Sequence, residues 1–396
     1  MTADQHVLNH RERIIQGKEN WWFLGAGGVA RLSDRHLASG GALAPRAERQ
    51  LRAQGLYVVA PRRSYSLTVL TTTACNLGCG YCFQNVAQDE GSGSRPPRIA
   101  QARLTSSRIT SVLEFARRQM AAAELEKLHI MLFGGEPLLN PRGCRELLAR
   151  AADYGLTDAA MTSNLTLLTP EIARELADLG LRSVQVTFDG AQPDHDLIRI
   201  RRSGGGTYDA IVANLAAASA AAPEIVWSLR VNVSHRNVEG IDALLEQLTG
   251  AVDPACCRVY FARVGDVGIG YLNGARHDED LVARFCRWQR RAVDLGFIAT
   301  RPRAHTPCAT CQAGVGRYGA VVNADGTLSS CWETAGKPDW QVGTVTGGYR
   351  PAEQISGRWI ACEDTYQYGD ERRAVVSFHD AVDADLLDYL HATGRL

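Results

Sequence analysis

The chain of 396 residues predicts an α/β fold with a parallel sheet at its centre. Three observations carry this. Strand-type runs at 67–71, 129–133, 159–163, 183–187, 225–233 and 258–262 alternate with helical patterns at 106–125, 142–152, 170–179, 208–218, 238–248 and 280–295. The connections between them are mostly short. Asp, Ser or Pro residues open many of the helical runs, and Gly155, Gly180 and Gly296 close three of them. Six such repeats put helices outside the sheet and chemistry at the C-terminal ends of the strands.

Ahead of the repeats, residues 1–64 read as a small α+β module. Trp21-Trp22-Phe23-Leu24 and Gly28-Val29-Ala30-Arg31-Leu32 read as two strands around Gly25-Ala26-Gly27. Pro45 opens a helical run over 46–54, and Tyr57-Val58-Val59-Ala60 reads as a returning strand. Composition limits the partners. With 43 basic and 43 acidic residues the formal charge is zero, which argues against nucleic acid as an obligatory partner. Residues 1–13 are polar and charged, so no signal peptide is expected. No apolar run approaches the roughly 20 residues of a membrane span. Eleven cysteines without a visible export signal point to metal binding rather than disulfides, and to a cytoplasmic protein.

The end of the first strand of the repeats holds the most informative stretch. Residues 71–83 read TTTACNLGCGYCF, with Cys75, Cys79 and Cys82 in the spacing C-x3-C-x2-C. Three thiolates within eight residues suit a soft metal centre. A [4Fe–4S] cube takes four ligands, so three leave one iron open to a small molecule. The plain alternatives are a zinc site or buried free thiols, although zinc knuckles usually pair two separated C-x2-C motifs. The loop over 85–99 that follows is polar and rich in Gly, Ser and Pro, and is expected to be a lid or ordinary mobile surface.

The triplet, with Tyr81 at the aromatic position, resembles the radical S-adenosylmethionine (SAM) enzymes. The resemblance implies a partial (β/α)6 TIM barrel, a [4Fe–4S] cluster on Cys75, Cys79 and Cys82, and SAM on the open iron. It extends to later motifs. Gly134-Gly135-Glu136-Pro137, after the second strand, is similar to the GGEP segment that binds the SAM amino group. Ser163-Asn164-Leu165-Thr166, after the third, stands where the family often has Thr-Asn-Gly; Ser163 and Asn164 carry over, and a helix cap is the alternative. Thr187-Phe188-Asp189-Gly190 with His195-Asp196-Leu197-Ile198-Arg199 resembles the D-G…H-D-x-x-R segment of peptide and sulfatase maturases. Asp189 and Arg199 are its candidate SAM contacts, and a structural ion pair is the alternative. Arg230 and Val233, near the end of the fifth strand, are candidates to face the SAM carboxylate and adenine, or to serve packing alone.

Residues 1–64, whose strand–strand–helix–strand order resembles a truncated winged-helix or peptide-recognition element, with a packing cap for the barrel as the alternative, would then precede residues 65–298 as the barrel and 299–396 as an appended cluster domain. Cys308-Ala309-Thr310-Cys311, the Asp325-Gly326 turn and Cys331 resemble the opening of the SPASM extension. The dense cysteine run that follows in the full extension is missing, and only Cys362 remains downstream. This departure implies the shortened, Twitch-type arrangement with one auxiliary iron–sulfur cluster on Cys308, Cys311 and Cys331, with Cys362 as a candidate fourth ligand; four thiolates suit zinc as well. Cys144, Cys256, Cys257 and Cys286 read as buried small hydrophobes. A final helix over 380–395 is expected to pack through Val382, Leu386, Leu387 and Leu390.

The resemblance implies generation of a 5′-deoxyadenosyl radical that abstracts hydrogen from an unactivated C–H bond. Its peptide-maturase branch implies a ribosomally synthesised precursor peptide as substrate and an oxidative cross-link (carbon–carbon, carbon–oxygen or thioether) as product. An electron donor such as ferredoxin or flavodoxin is implied as partner. The alternatives are a small-molecule dehydrogenase or epimerase acting on a sugar or cyclitol, and a non-catalytic peptide-binding scaffold. No residue is singled out as proton donor or acceptor.

Overall fold

A computed structural model describes residues 12–39, 41–88, 96–265, 273–275, 278–304, 308, 316–359 and 372–396. The six expected strands are present as β4 (Ser64–Thr72), β5 (Lys127–Gly134), β6 (Leu156–Thr162), β7 (Leu181–Phe188), β8 (Val226–Val233) and β9 (Cys257–Arg263), all pairing in parallel in chain order. Between and after them run helices α2 (Ser106–Ala122), α3 (Pro141–Ala151), α4 (Pro170–Asp178), α5 (Gln192–Ile198), α6 (Tyr208–Ala221), α7 (Ile241–Ala251) and α8 (Glu279–Asp294). This is the sheet-and-helix arrangement of a partial TIM barrel. The helices start where their sequence says they should. Thr105, Asn140, Thr169 and Asp278 each accept a backbone N–H of the first turn, and Pro141 and Pro170 follow two of these caps. Short α5 was not expected from the sequence.

Strand parity divides the barrel into an outer core and an inner cavity. On β8, Trp227, Leu229, Val231 and Val233 are buried against the helices, while Arg230 and Asn232 face inward. On β7, Val184, Val186 and Phe188 join the same outer core, and Gln185 and Thr187 line the cavity.

The C-terminal part adds to this sheet. Strand β10 (Gly319–Val322) pairs in parallel with β4, and β11 (Thr327–Ser329), β12 (Gln341–Thr344) and β13 (Gly348–Tyr349) continue antiparallel, giving ten strands in order β13-β12-β11-β10-β4-β5-β6-β7-β8-β9. The expected turn at Asp325-Gly326 joins β10 to β11: Asp325 Oδ1 accepts from the Thr327 N–H, and Gly326 has φ +88°.

The N-terminal module differs from its sequence reading. It is a three-stranded antiparallel sheet, β1 (Arg13–Gln16), β2 (Trp21–Gly25) and β3 (Gly28–Leu32), followed by α1 (Pro45–Ala53). Residues 57–60 are not a strand: Val58 and Val59 stay exposed, and β1 rather than this segment pairs with β2. The order is therefore strand–strand–strand–helix.

Helix α9 (Arg372–Ala392) is longer than expected and straps this module to the barrel. Ala384 and Leu387 pack with Ile15, Trp22 and Leu24, whereas Leu386 and Leu390 pack with Val293 of α8. Polar contacts fix the strap. The Arg13 guanidinium bridges Asp380 and Asp383 at 2.6 and 2.7 Å. Asp388 accepts from the Glu19 N–H, Asn20 Nδ2 and Trp22 Nε1. Among the described residues, no helix is long and apolar enough to cross a membrane.

Candidate active site

The C-terminal ends of the parallel strands and the cysteine loop enclose a cavity of ≈ 560 Å³. Cys75, Cys79 and Cys82 line one end of it. Their loop is held by backbone rather than by packing. The Gly78 N–H donates to Ile200 O at 2.9 Å and the Arg202 N–H to Asn76 O at 2.8 Å. Asn85 Nδ2 reaches Cys79 O, and the Cys82 carbonyl accepts from the Asn85 N–H.

The glycines of the Gly134-Gly135-Glu136-Pro137 segment allow a close approach. Gly135 N–H donates to Thr72 O and Glu136 N–H to Ala74 O, both at 2.9 Å, and a Cβ at either glycine would collide with a carbonyl of the 72–74 turn. Glu136 lies behind the cavity wall, fully buried. Its carboxylate accepts from the Ser163 hydroxyl (2.8 Å), the Asn164 N–H (2.7 Å) and the Leu138 N–H (2.9 Å), which ties the end of β5 to the end of β6. Burial pushes its pKa up, opposed by these donors. Pro137 is buried at the start of a short 3-10 turn.

Ser163 and Asn164 line the cavity. Asn164 Nδ2 donates to Asn76 Oδ1, Asn76 Nδ2 to Thr166 Oγ1, and the Thr166 hydroxyl to Asn164 Oδ1, a closed ring that anchors the cysteine loop to β6. Leu165 occupies the place of the family's glycine and takes the left-handed backbone that glycine favours, with φ +58°. That conformation costs about 1–2 kcal/mol for an L side chain. Full burial of the leucine in the outer core offsets it by about 1.5–3 kcal/mol.

A second network closes the opposite wall. The Tyr81 hydroxyl donates to Asp189 Oδ2 (2.7 Å) and accepts from Arg199 Nη1 (3.0 Å) and Asn232 Nδ2 (2.9 Å); Arg199 and Asp189 are 3.5 Å apart. Tyr81 and Arg199 line the cavity, and Asp189 stands behind them, 1% exposed. Burial works against the Arg199 charge, but Tyr81, Cys79 and Asp189 outweigh it and hold the guanidinium well above its ordinary pKa. Arg230 reaches the cavity from β8 with Nε on Asn232 Oδ1. Val233 does not reach it, because its parity turns it toward the helices.

The H-D-x-x-R segment frames this network. His195 Nδ1 accepts from the Asp189 N–H, so its Nε2–H donates to Thr207 Oγ1, whose hydroxyl donates to Arg199 O. Asp196 Oδ1 accepts from the Thr207 and Tyr208 N–H groups and so caps α6 in place of a side chain from 203–207. Burial, with Arg199 nearby, holds His195 neutral with its pKa well below 6.5. The unfolded chain then binds the extra proton, so stability is lost as pH falls below 6.5. The expected cost is about 1.4 kcal/mol per pH unit. Melting curves between pH 8 and 5 check this, and His195→Gln is expected to flatten the decline.

Several cavity residues had no sequence motif: Arg98, Asn232, Tyr260, Arg263, Trp332 and His379. Asn232 was legible from parity, two residues after Arg230. Phe83 stacks on Phe133 (centroids 6.2 Å apart), and Phe133 meets Trp332 (6.3 Å), so aromatic rings run from beside Cys82 to beside Cys331. Lys337 feels both Cys82 and Cys331. Cys331 is buried and Cys308 partly so, while Cys311 and Cys362 lie outside the described residues. Cys144, Cys257 and Cys286 are buried as expected, but Cys256 is not: it ends the 3-10 turn Pro254–Cys256, partly exposed, with its thiol 3.7 Å from Asp253 Oδ2. A larger cavity of ≈ 780 Å³ lies between the β1–β2 turn, α8 and α9, away from all the motif residues.

The cysteine triplet fits an iron–sulfur cube. Burial pushes the Cys79 thiol up to about 12 and raises Cys75 as well, so a cationic centre is what would hold these two as thiolates. Among the described residues no three His, Cys, Asp or Glu side chains converge closely enough for a single metal ion.

Comparison with known proteins agrees. Residues 69–248 match the model of the Radical SAM superfamily. The chain is 28% identical over 333 residues to the GTP 3′,8-cyclase of Xanthomonas campestris pv. campestris (strain B100), covering 77% of this chain and 89% of the relative. It is 30% identical over 180 residues to the mycofactocin maturase MftC of Mycobacterium tuberculosis (strain CDC 1551 / Oshkosh), covering 44% of this chain and 39% of the relative. The fold is similar to that of native anSMEcpe with bound AdoMet and Cp18Cys peptide, with TM-score 0.59, 13% identity, and coverage of 85% of this chain and 100% of that one. Members of the superfamily use a [4Fe–4S] cluster and SAM. The chain thus carries a radical SAM domain, spanning residues 69–248.

Proposed function

We propose that this protein modifies a ribosomally synthesised precursor peptide, forming an oxidative carbon–carbon, carbon–oxygen or thioether cross-link. One observation carries the reading. The N-terminal sheet ends in the edge strand β3, and α9 straps that sheet to the barrel while placing Phe378 and His379 in the cavity wall. An edge strand accepts an extended peptide by strand addition. The module, residues 1–64, is then the peptide-holding part, residues 65–298 the reaction chamber, and residues 299–396 the part that holds an auxiliary cluster through Cys308, Cys311, Cys331 and Cys362.

When bound, the cluster and SAM supply hydrogen-atom abstraction from an unactivated C–H bond. The chain's own residues do the rest. Cys75, Cys79 and Cys82 hold the cluster. Gly134, Gly135, Ser163, Asn164, Arg199 and Arg230 offer backbone, hydroxyl, amide and cationic groups to SAM, with Glu136, Pro137, Asp189 and Tyr81 fixing their positions. Phe133, Phe261 and Trp332 keep water from one wall and so favour a single aligned substrate pose. A ferredoxin- or flavodoxin-type donor in the cytoplasm completes the scheme.

A second reading, a small-molecule radical enzyme, is favoured by the length of the match to GTP 3′,8-cyclase and by Arg230 and Arg263 in one cavity, which would suit an anionic substrate. The experiment that separates them uses anaerobic, reconstituted protein with dithionite and SAM. It is offered either any short precursor-like peptide encoded beside its gene or GTP. Peptide-dependent 5′-deoxyadenosine, with a product lighter by two hydrogen atoms, is expected. Release of 5′-deoxyadenosine with GTP and an unchanged peptide would establish the second reading.

A further inference from the structure

Arg98 lies at the returning end of the Gly/Ser/Pro-rich loop, where its backbone pairs with Asn85. The side chain turns into the cavity. One terminal nitrogen donates to Cys82 Sγ at 3.3 Å; the other donates to the Gln84 side-chain carbonyl and, at 3.4 Å, to Thr73 O. Gln84 is itself buried, so the guanidinium plane is held from two sides. Its Nε is buried and unpartnered.

Charge makes this placement unusual. Of the other cations near the triplet, Arg199 is engaged with Asp189 and Tyr81, Arg202 with the Pro96 carbonyl, and Lys337 interacts with Glu333. Arg98 has no carboxylate at ion-pair distance among the described residues. Among the described residues it is a positive charge without a carboxylate partner, held against one of the three thiols that line the cavity.

Resting on the reading of Cys75, Cys79 and Cys82 as cluster ligands, we infer that Arg98 sets the reduction potential of that cluster. A [4Fe–4S]²⁺ core on three thiolates carries one net negative charge, and two after accepting an electron from an external low-potential donor. A cation in contact with a ligand sulfur stabilises the second state more than the first, and an N–H···S hydrogen bond acts in the same direction. Arg98 therefore eases the electron into the cluster. The residue is a positioning and tuning group, since it touches a ligand rather than the reacting atoms.

The test is a redox titration followed by electron paramagnetic resonance on reconstituted wild type, Arg98→Gln, Arg98→Lys and Gln84→Leu. Arg98→Gln is expected to make reduction at least tenfold less favourable, a potential lower by about 59 mV for one electron. Arg98→Lys is expected to recover part of that shift, because it keeps the charge. Gln84→Leu, which loosens the guanidinium, is expected to shift the potential down by less. A merely structural Arg98 would change melting temperature and leave the potential where it was. Should Arg98→Gln hold no cluster, Gln84→Leu decides, and a wild-type potential there overturns the inference. Wild-type protein that takes up no cluster would sink the ligand reading beneath it, an outcome distinct from a cluster with unchanged potential.

Discussion

Alanine at Cys75, Cys79 and Cys82 together is expected to abolish 5′-deoxyadenosine formation, leaving the level seen without enzyme, and to remove the cube's share of iron, sulfide and visible absorbance. The three sulfurs line one end of the cavity on a loop pinned by backbone hydrogen bonds, so their loss leaves the fold in place and removes only the ligands. Iron and sulfide analysis after anaerobic reconstitution checks the first effect, and chromatography of the reaction mixture the second. Iron that remains in the triple variant reports the proposed auxiliary site. A chromophore undiminished by the substitution would mean that the triplet holds no cluster.

Arg199→Met is expected to cost about 3–5 kcal/mol of folding stability, because it strands the Asp189 carboxylate in a buried site. Asp189 keeps the Tyr81 hydroxyl, but a single neutral donor does not replace a cation at 3.5 Å. Adding Asp189→Leu to Arg199→Met should recover much of the loss, since an apolar pair removes the stranded charge as well. Urea unfolding of the two single variants and the double variant measures the coupling. Additive losses would show that the pair is too hydrated to matter. The same substitution should weaken SAM binding, which equilibrium dialysis reads separately.

The barrel was legible because its strands are apolar runs or apolar–polar alternations. His129-Ile130-Met131-Leu132-Phe133 is of the first kind and Ser183-Val184-Gln185-Val186-Thr187 of the second, and both stand out between helical patterns. The cysteine triplet and the Gly134-Gly135-Glu136-Pro137 segment were legible because their chemistry or backbone needs are local. What escaped was long-range or weakly patterned. Four residues, Arg13-Ile14-Ile15-Gln16, carry no period that marks a strand, whereas Tyr57-Val58-Val59-Ala60 has strand propensity yet pairs with no strand and leaves Val58 and Val59 exposed. Val233 takes the packing alternative: three residues after Arg230, strand parity turns it to the opposite face. Arg98 sits next to nothing in sequence that announces a thiol neighbour, and only the fold of the loop brings it to Cys82.

The pairing of β10 with β4 constrains how the molecule is made. During synthesis β4 emerges early, yet one of its two edges stays bare until residues 319–322 leave the ribosome, and Arg13 waits still longer for Asp380, 367 positions on. Such distant closures slow folding and expose an unpaired strand to aggregation in the meantime. The thiol loop hangs from the end of that same strand, so chaperone demand and the timing of cluster delivery are both tied to completion of the nascent polypeptide.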